Sequence, residues 1–136
     1  MGELHEPELG EIMEPLESTE DYLEAILRVK EKQNYVRSVD VAKLLKVSKP
    51  SVTYATKRLR ESGYITMDDN GMILFTAAGE KLAIDTWTRH MTLAKLFMQL
   101  GVKEKQALED ACKVEHDLSE ETFKAIQKFV DGKQKF

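Results

Sequence analysis

Apolar residues recur along most of this chain at helical spacing, and one short stretch breaks that pattern with strand character. In STEDYLEAILRVKEKQ, Leu23, Ile26 and Leu27 line one helical face, and Ser18 or Thr19 can cap its start. The segment SVDVAKLLKVSKPSVTYATKRLRESG divides in two. Ser38 is placed to cap a short helix reaching about Lys46. Ser48 can cap a second, with Pro50 in its first turn and Gly63 just past its end. In YITMDDNGMILF, two runs rich in β-branched and aromatic residues flank Asp69-Asn70-Gly71, which predicts a tight hairpin. Thr76 then opens a long helical pattern to Leu100, closed by Gly101. Lys103–His116 and Ser119–Val130 read as two further helices.

This order predicts a mainly α chain. A winged helix-turn-helix domain with a two-stranded wing is expected over residues 18–76, and a helical domain over 77–136. Residues 1–17 hold two of the three prolines and many glutamates with little periodicity, so a flexible tail is expected there.

Charge sharpens the picture more than bulk composition does. The net charge is −4, but it is unevenly placed. Residues 1–24 carry nine acidic side chains and no Lys or Arg, whereas residues 37–64 carry seven basic and two acidic ones. Such a chain is no general polyanion binder, yet it can present one basic surface to nucleic acid. No apolar run approaches the ~20 residues a bilayer span needs. The acidic start lacks the basic segment of a signal peptide. A single Cys cannot form an internal disulfide, so a reducing cytoplasm is the expected setting.

The helix expected over 49–62 carries the basic surface. Val52, Ala55 and Leu59 form a narrow apolar stripe, leaving Lys49, Ser51, Thr53, Tyr54, Lys57, Arg58 and Arg60 on the remaining face. Cations neutralise phosphates, and short hydroxyls and an aromatic ring near the helix N-terminus can reach base edges. A solvated helix face is the plainer reading of the same charges. The capped helix before it and the hairpin after it favour DNA. The hairpin tip, Asp68-Asp69, runs the other way, since carboxylates repel phosphate.

A second constellation lies in ACKVEHDLS. Cys112, Glu115 and His116 stand at i, i+3 and i+4, so a helix would point thiol, carboxylate and imidazole from one face. A divalent first-row metal can take all three. Asp21 and Glu24, one turn apart on the first helix, and His90, midway along the long helix, are further donors. Each also has an ordinary reading. Asp21 and Glu24 complement a helix dipole, His90 serves as a surface residue, and Cys112 as a small core residue.

Taken together, STEDYLEAI, VAKLLKVSKPSVTYATKRL, LFTAAGEKLA with the later Arg-His pair, and EDACKVEHDLS resemble the diphtheria-toxin-repressor family of iron- and manganese-dependent transcriptional regulators. The resemblance covers about residues 18–131. It implies a winged-helix domain followed by a helical metal-binding and dimerisation domain, and a homodimer on palindromic double-stranded operator DNA. A chain ending at 136 is similar to the short form without the SH3-like domain. Position by position, the implied metal ligands are Asp21, Glu24, His90, Cys112, Glu115 and His116. The implied DNA contacts are Ser48, Pro50, Ser51, Thr53 and Tyr54. Lys49, Lys57, Arg58 and Arg60 join them on charge, and Arg37 by its place before the short helix.

The chain is a hybrid of the family's two branches. Asp21 and Glu24 resemble the manganese branch, Cys112 the iron branch. Leu108 and Ala94 stand where the iron branch carries ancillary ligands, so that ancillary site is expected to be absent. Carboxylates suit Mn²⁺ and a thiolate suits softer ions such as Fe²⁺. The cofactor is expected to be Mn²⁺ or Fe²⁺, leaning to manganese, with Zn²⁺ or Co²⁺ binding in vitro. The competing functional reading is a winged-helix regulator that senses oxidation through Cys112. An enzyme is not expected, since no oxyanion loop or Gly-rich nucleophile turn is legible.

Overall fold

The computed structural model describes residues 6–134, with side chains over 19–132. Its elements are α1 (Glu6–Gln33), α2 (Ser38–Leu45), α3 (Lys49–Glu61), β1 (Ile65–Met67), β2 (Ile73–Phe75), α4 (Ala77–Gln99), α5 (Glu104–Val114) and α6 (Glu120–Gln134). A single 3-10 turn, Glu115–Asp117, separates α5 from α6. Two compact units divide at Ile84/Asp85, within α4, whereas the sequence pattern placed a boundary before that helix.

α1 begins well before the cap expected at Ser18 or Thr19. Residues 6–17, expected as tail, are helical in their backbone, and residues 1–5 lie outside the described residues. Pro7 falls in the first turn, where no intrahelical N–H bond is needed, and the surrounding glutamates are good helix formers. At the other end Asn34 takes a left-handed conformation (φ 68°) and its N–H donates to the Lys30 carbonyl at 2.8 Å, which closes the helix.

The first unit is built on α1, α2, α3 and the hairpin. Leu23, Ile26, Val36, Val41, Val52, Leu59, Ile65 and Ile73 are buried there. Each such side chain contributes about 1.5–3 kcal/mol. α2 starts one residue earlier in its capping than the sequence suggests. Arg37, not Ser38, is the cap, and its backbone N–H donates to Asp40 Oδ2 at 2.9 Å. Lys46 closes α2 in a left-handed conformation (φ 59°). Ser48 caps α3 as expected, its Oγ accepting the Ser51 N–H at 3.2 Å.

The strands pair antiparallel, Ile65 opposite Phe75 and Met67 opposite Ile73. The Ile73 N–H donates to the Val36 carbonyl at 2.8 Å, tying the wing to the segment between α1 and α2. Asp68 organises the hairpin tip: its Oδ1 accepts the N–H groups of Asn70 at 2.8 Å and Met72 at 2.9 Å. Thr76 then seats α4 at the base of the wing. Its Oγ1 donates to the Gly63 carbonyl at 2.7 Å and accepts the Gly79 N–H at 3.1 Å. Gly79 itself is demanded by a close approach. A Cβ there would lie 1.9 Å from the Tyr64 carbonyl oxygen.

The second unit has a core of Leu93 and Ala94 from α4 with Ala107 and Ala111 from α5. Phe97, Met98, Val102, Leu108, Val114, Leu118 and Ile126 pack against it. Leu93, Ala94, Phe97 and Met98 thus turn one apolar face of α4 into this intramolecular core. Leu100 is the exception, 71% exposed.

Candidate metal centre and nucleic-acid surface

The helix expected to run through His116 ends at Val114. Glu115 and His116 lie in the 3-10 turn, so the spacing that places them on one face with Cys112 is not that of a continuous α-helix. The donors still converge, because α4 supplies the missing wall. The ligand atoms of His90, Cys112 and Glu115 all lie within 4.8 Å of one another. His90 Nδ1 stands 3.3 Å from Glu115 Oε1, and His116 Nε2 stands 3.4 Å from Glu115 Oε2. Bonds of ~2.0–2.3 Å to a first-row ion put opposed donors about 4–4.6 Å apart, so His90, Cys112 and Glu115 fit one divalent ion with little movement, and His116 adjoins them through Glu115.

Burial adds to the case. Glu115 is 1% exposed and His90 8% exposed, while Cys112 and His116 are half-buried. A buried carboxylate among imidazoles and a thiol is costly unless charge compensates it, and a dication does so. The converged donor set, one thiol, one carboxylate and one imidazole, suits Fe²⁺, Co²⁺ and Zn²⁺ readily and Mn²⁺ less strongly. The Trp87 ring, one turn earlier on the same helix, stacks on the His90 imidazole at 5.7 Å between centroids and 21° between planes.

Asp21 and Glu24 lie one turn apart on α1 in the first unit. Asp21 is half-buried and Glu24 buried. Ala94 and Leu108, where ancillary ligands were expected to be absent, belong to the apolar packing of the second unit.

Sequence reasoning missed Arg89. Its guanidinium donates to the carbonyls of Glu115 and Leu118 and lies over the Phe123 ring. The Arg-His pair was visible in the sequence, but its partners are 26 to 34 positions away and no local spacing marks them. Asp68 was read only as a repulsive charge, whereas its carboxylate is occupied by the hairpin's own N–H groups.

The basic surface follows from α3. Val52, Ala55, Thr56 and Leu59 are buried, which turns Lys49, Pro50, Thr53, Tyr54, Lys57, Arg58 and Arg60 outward. Ser48 is exposed at the cap and Ser51 half-buried, with the Ser48 hydroxyl donating to Ser51 Oγ at 3.0 Å. Arg37 is exposed at the start of α2. Tyr54 is 60% exposed, with the Arg58 guanidinium 5.6 Å from its ring centroid. A large aromatic ring left in water among cations is more than a solvated charge run requires, and it suits contact with bases or sugars.

Comparison with known proteins agrees with both halves of this picture. Residues 16–71 match the model of the iron dependent repressor N-terminal DNA binding domain, and residues 76–135 that of the iron dependent repressor metal binding and dimerisation domain. The chain is 36% identical over 118 residues to an uncharacterized HTH-type transcriptional regulator of Methanocaldococcus jannaschii, covering 85% of this chain and 94% of that one. It is 38% identical over 114 residues to the transcriptional regulator MntR of Escherichia coli O6:H1, covering 84% of this chain and 74% of that one. Among solved structures it is similar to the manganese regulator SloR, with a TM-score of 0.75 and 25% identity, covering 83% of this chain and 53% of that one. This chain thus spans about half the length of that solved chain.

Proposed function

The chain belongs to the iron dependent repressor family of metal-dependent transcriptional regulators, and on that premise we propose that it is a manganese- or iron-activated repressor that closes on palindromic operator DNA as a homodimer. The observation that carries the reading is the convergence of His90, Cys112 and Glu115 donor atoms within 4.8 Å, in the half of the chain matched to metal binding and dimerisation. The proposed ligands are Asp21, Glu24, His90, Cys112, Glu115 and His116.

A bound divalent ion supplies positive charge and a preferred donor geometry. Asp21, Glu24, Cys112 and Glu115 are the anionic members of the proposed set, and their mutual repulsion is what such charge would offset. An ion bound by all six residues would hold α1, and the α2–α3 pair built on it, in one arrangement. A two-fold dimer reading a palindrome needs its recognition helices roughly 34 Å apart, or a multiple of that. The DNA-competent arrangement therefore takes metal more tightly, and by linkage operator DNA tightens metal in the same ratio.

In this reading Ser48, Pro50, Ser51, Thr53 and Tyr54 meet base edges and nearby phosphates from the N-terminal part of α3. Lys49, Lys57, Arg58, Arg60 and Arg37 supply phosphate neutralisation. The reading makes the chain a cytoplasmic DNA-binding protein rather than an enzyme. Among the described residues no helix is long and apolar enough to cross a membrane.

The test is fluorescence-anisotropy binding to a pool of palindromic DNA at fixed salt, comparing chelated protein with Mn²⁺-loaded and anaerobic Fe²⁺-loaded protein. Tightening of about tenfold or more, ~1.4 kcal/mol of coupling, is expected. Equal affinity with and without metal overturns the switch.

A further inference from the structure

Arg89 precedes His90 on α4, and its guanidinium reaches the turn that carries Glu115 and His116. Nε and Nη2 donate to the Glu115 carbonyl at 3.3 and 3.0 Å, and Nη2 also donates to the Leu118 carbonyl at 2.8 Å. Nη1 lies 3.5 Å from Glu120 Oε1. The guanidinium carbon sits 4.7 Å from the centroid of the Phe123 ring. One side chain thus spans the end of α5, the 3-10 turn and the start of α6. The Glu115 and Leu118 carbonyls lie where a helix end leaves acceptors without intrahelical donors. A planar fork of five N–H groups can serve both at once, which a point charge on a lysine cannot.

Two consecutive residues of α4 therefore act on the same glutamate. His90 faces the Glu115 side chain at 3.3 Å, and Arg89 holds the Glu115 main chain. With its carbonyl pinned and its side chain 1% exposed, Glu115 has few other places to put its carboxylate. His116, the next residue, inherits the same constraint.

We propose that Arg89 is a positioning residue for the metal centre. It sets the 115–118 turn in its ligand-presenting form before any ion is bound, so that Glu115 and His116 need not be ordered at the moment of binding. The inference rests on the metal-switch reading above. It adds a residue that donates no ligand atom and acts through the main chain of one that does, as outer partners of metal ligands do.

Arg89→Gln and Arg89→Lys in the full chain test it, with Co²⁺ as the probe. Three quantities are read: Co²⁺ affinity from visible absorption, amide hydrogen exchange over residues 115–119 in chelated protein, and the thermal midpoint of chelated protein. Arg89→Gln is expected to weaken Co²⁺ about ten- to a hundredfold and to speed exchange at 115–119 without metal. Arg89→Lys, which keeps the charge but not the fork, is expected to fall between it and wild type. Should Arg89→Gln fail to fold, Arg89→Lys against wild type carries the comparison. A lowered thermal midpoint with wild-type Co²⁺ affinity and wild-type exchange at 115–119 makes Arg89 a structural tie only and overturns the proposal. Wild-type protein that takes up no Co²⁺ overturns the metal reading itself, and the positioning role with it.

Discussion

His90 Nδ1 stands 3.3 Å from Glu115 Oε1 although the two residues come from α4 and from the turn after α5, and both side chains are buried. A carboxylate in that position is expensive to keep unless a positive charge joins it. The pair is thus the centre from which the site can be tested.

Glu115→Gln keeps the shape of the side chain and removes its charge. Metal affinity should fall at least tenfold, about 1.4 kcal/mol, while the thermal midpoint of chelated protein stays within a few degrees of wild type or rises. Competition with a chelating dye gives the affinity. Undiminished binding would take Glu115 out of the ligand set.

Cys112→Glu exchanges a soft donor for a hard one at a position within 4.8 Å of the His90 and Glu115 donor atoms. Relative to wild type, Mn²⁺ should activate DNA binding at lower concentration and Fe²⁺ at higher. Asp21→Met should move the preference in the opposite direction. The ratio of half-activating Mn²⁺ and anaerobic Fe²⁺ concentrations reads both. If neither substitution moves the ratio, the choice of metal is set elsewhere.

Lys57 is exposed on α3, beside the buried stripe of Val52, Ala55 and Leu59. Lys57→Ala should weaken binding to specific and unrelated duplexes alike. It should also lower the slope of log affinity against log salt by about 0.9. A salt series by anisotropy decides this, and an unaltered slope would place Lys57 off the phosphate backbone.

Gly79→Ala puts a methyl group 1.9 Å from the Tyr64 carbonyl oxygen, which is backbone and cannot rotate away. The expected cost is about 1–3 kcal/mol or more of stability, visible as a lower urea midpoint. Because Tyr64 leads into β1, DNA affinity should drop as well. A variant as stable as wild type would mean that α4 can shift off the wing without loss.

Much of the architecture is legible from local rules. The stripes Leu23-Ile26-Leu27 and Val52-Ala55-Leu59, the caps Ser48, Thr76 and Ser119, and the turn glycines Gly63, Gly71 and Gly101 state where helices and hairpin start and stop. These signals are local because a cap or a stripe involves residues a few positions apart. The same holds for the outward basic face of α3, since a buried stripe fixes what remains outside. It does not hold for α1, whose extension back to Glu6 runs through proline-bearing residues that local propensity reads as tail.

The donor types Cys112, Glu115 and His116 were visible as a triplet, but their geometry was not a property of the triplet. α5 ends at Val114, and the following 3-10 turn carries Glu115 to His90 of α4, with His116 beside Glu115. Only tertiary packing brings His90 to Glu115 and lets Arg89 hold the Glu115 and Leu118 carbonyls. The physical reason is range. Composition and periodicity record which side chains a segment offers and which face it buries. The meeting of residues 26 positions apart depends on the small residues Ala94, Ala107 and Ala111 in the core of the second unit, and no pattern within one segment carries that information.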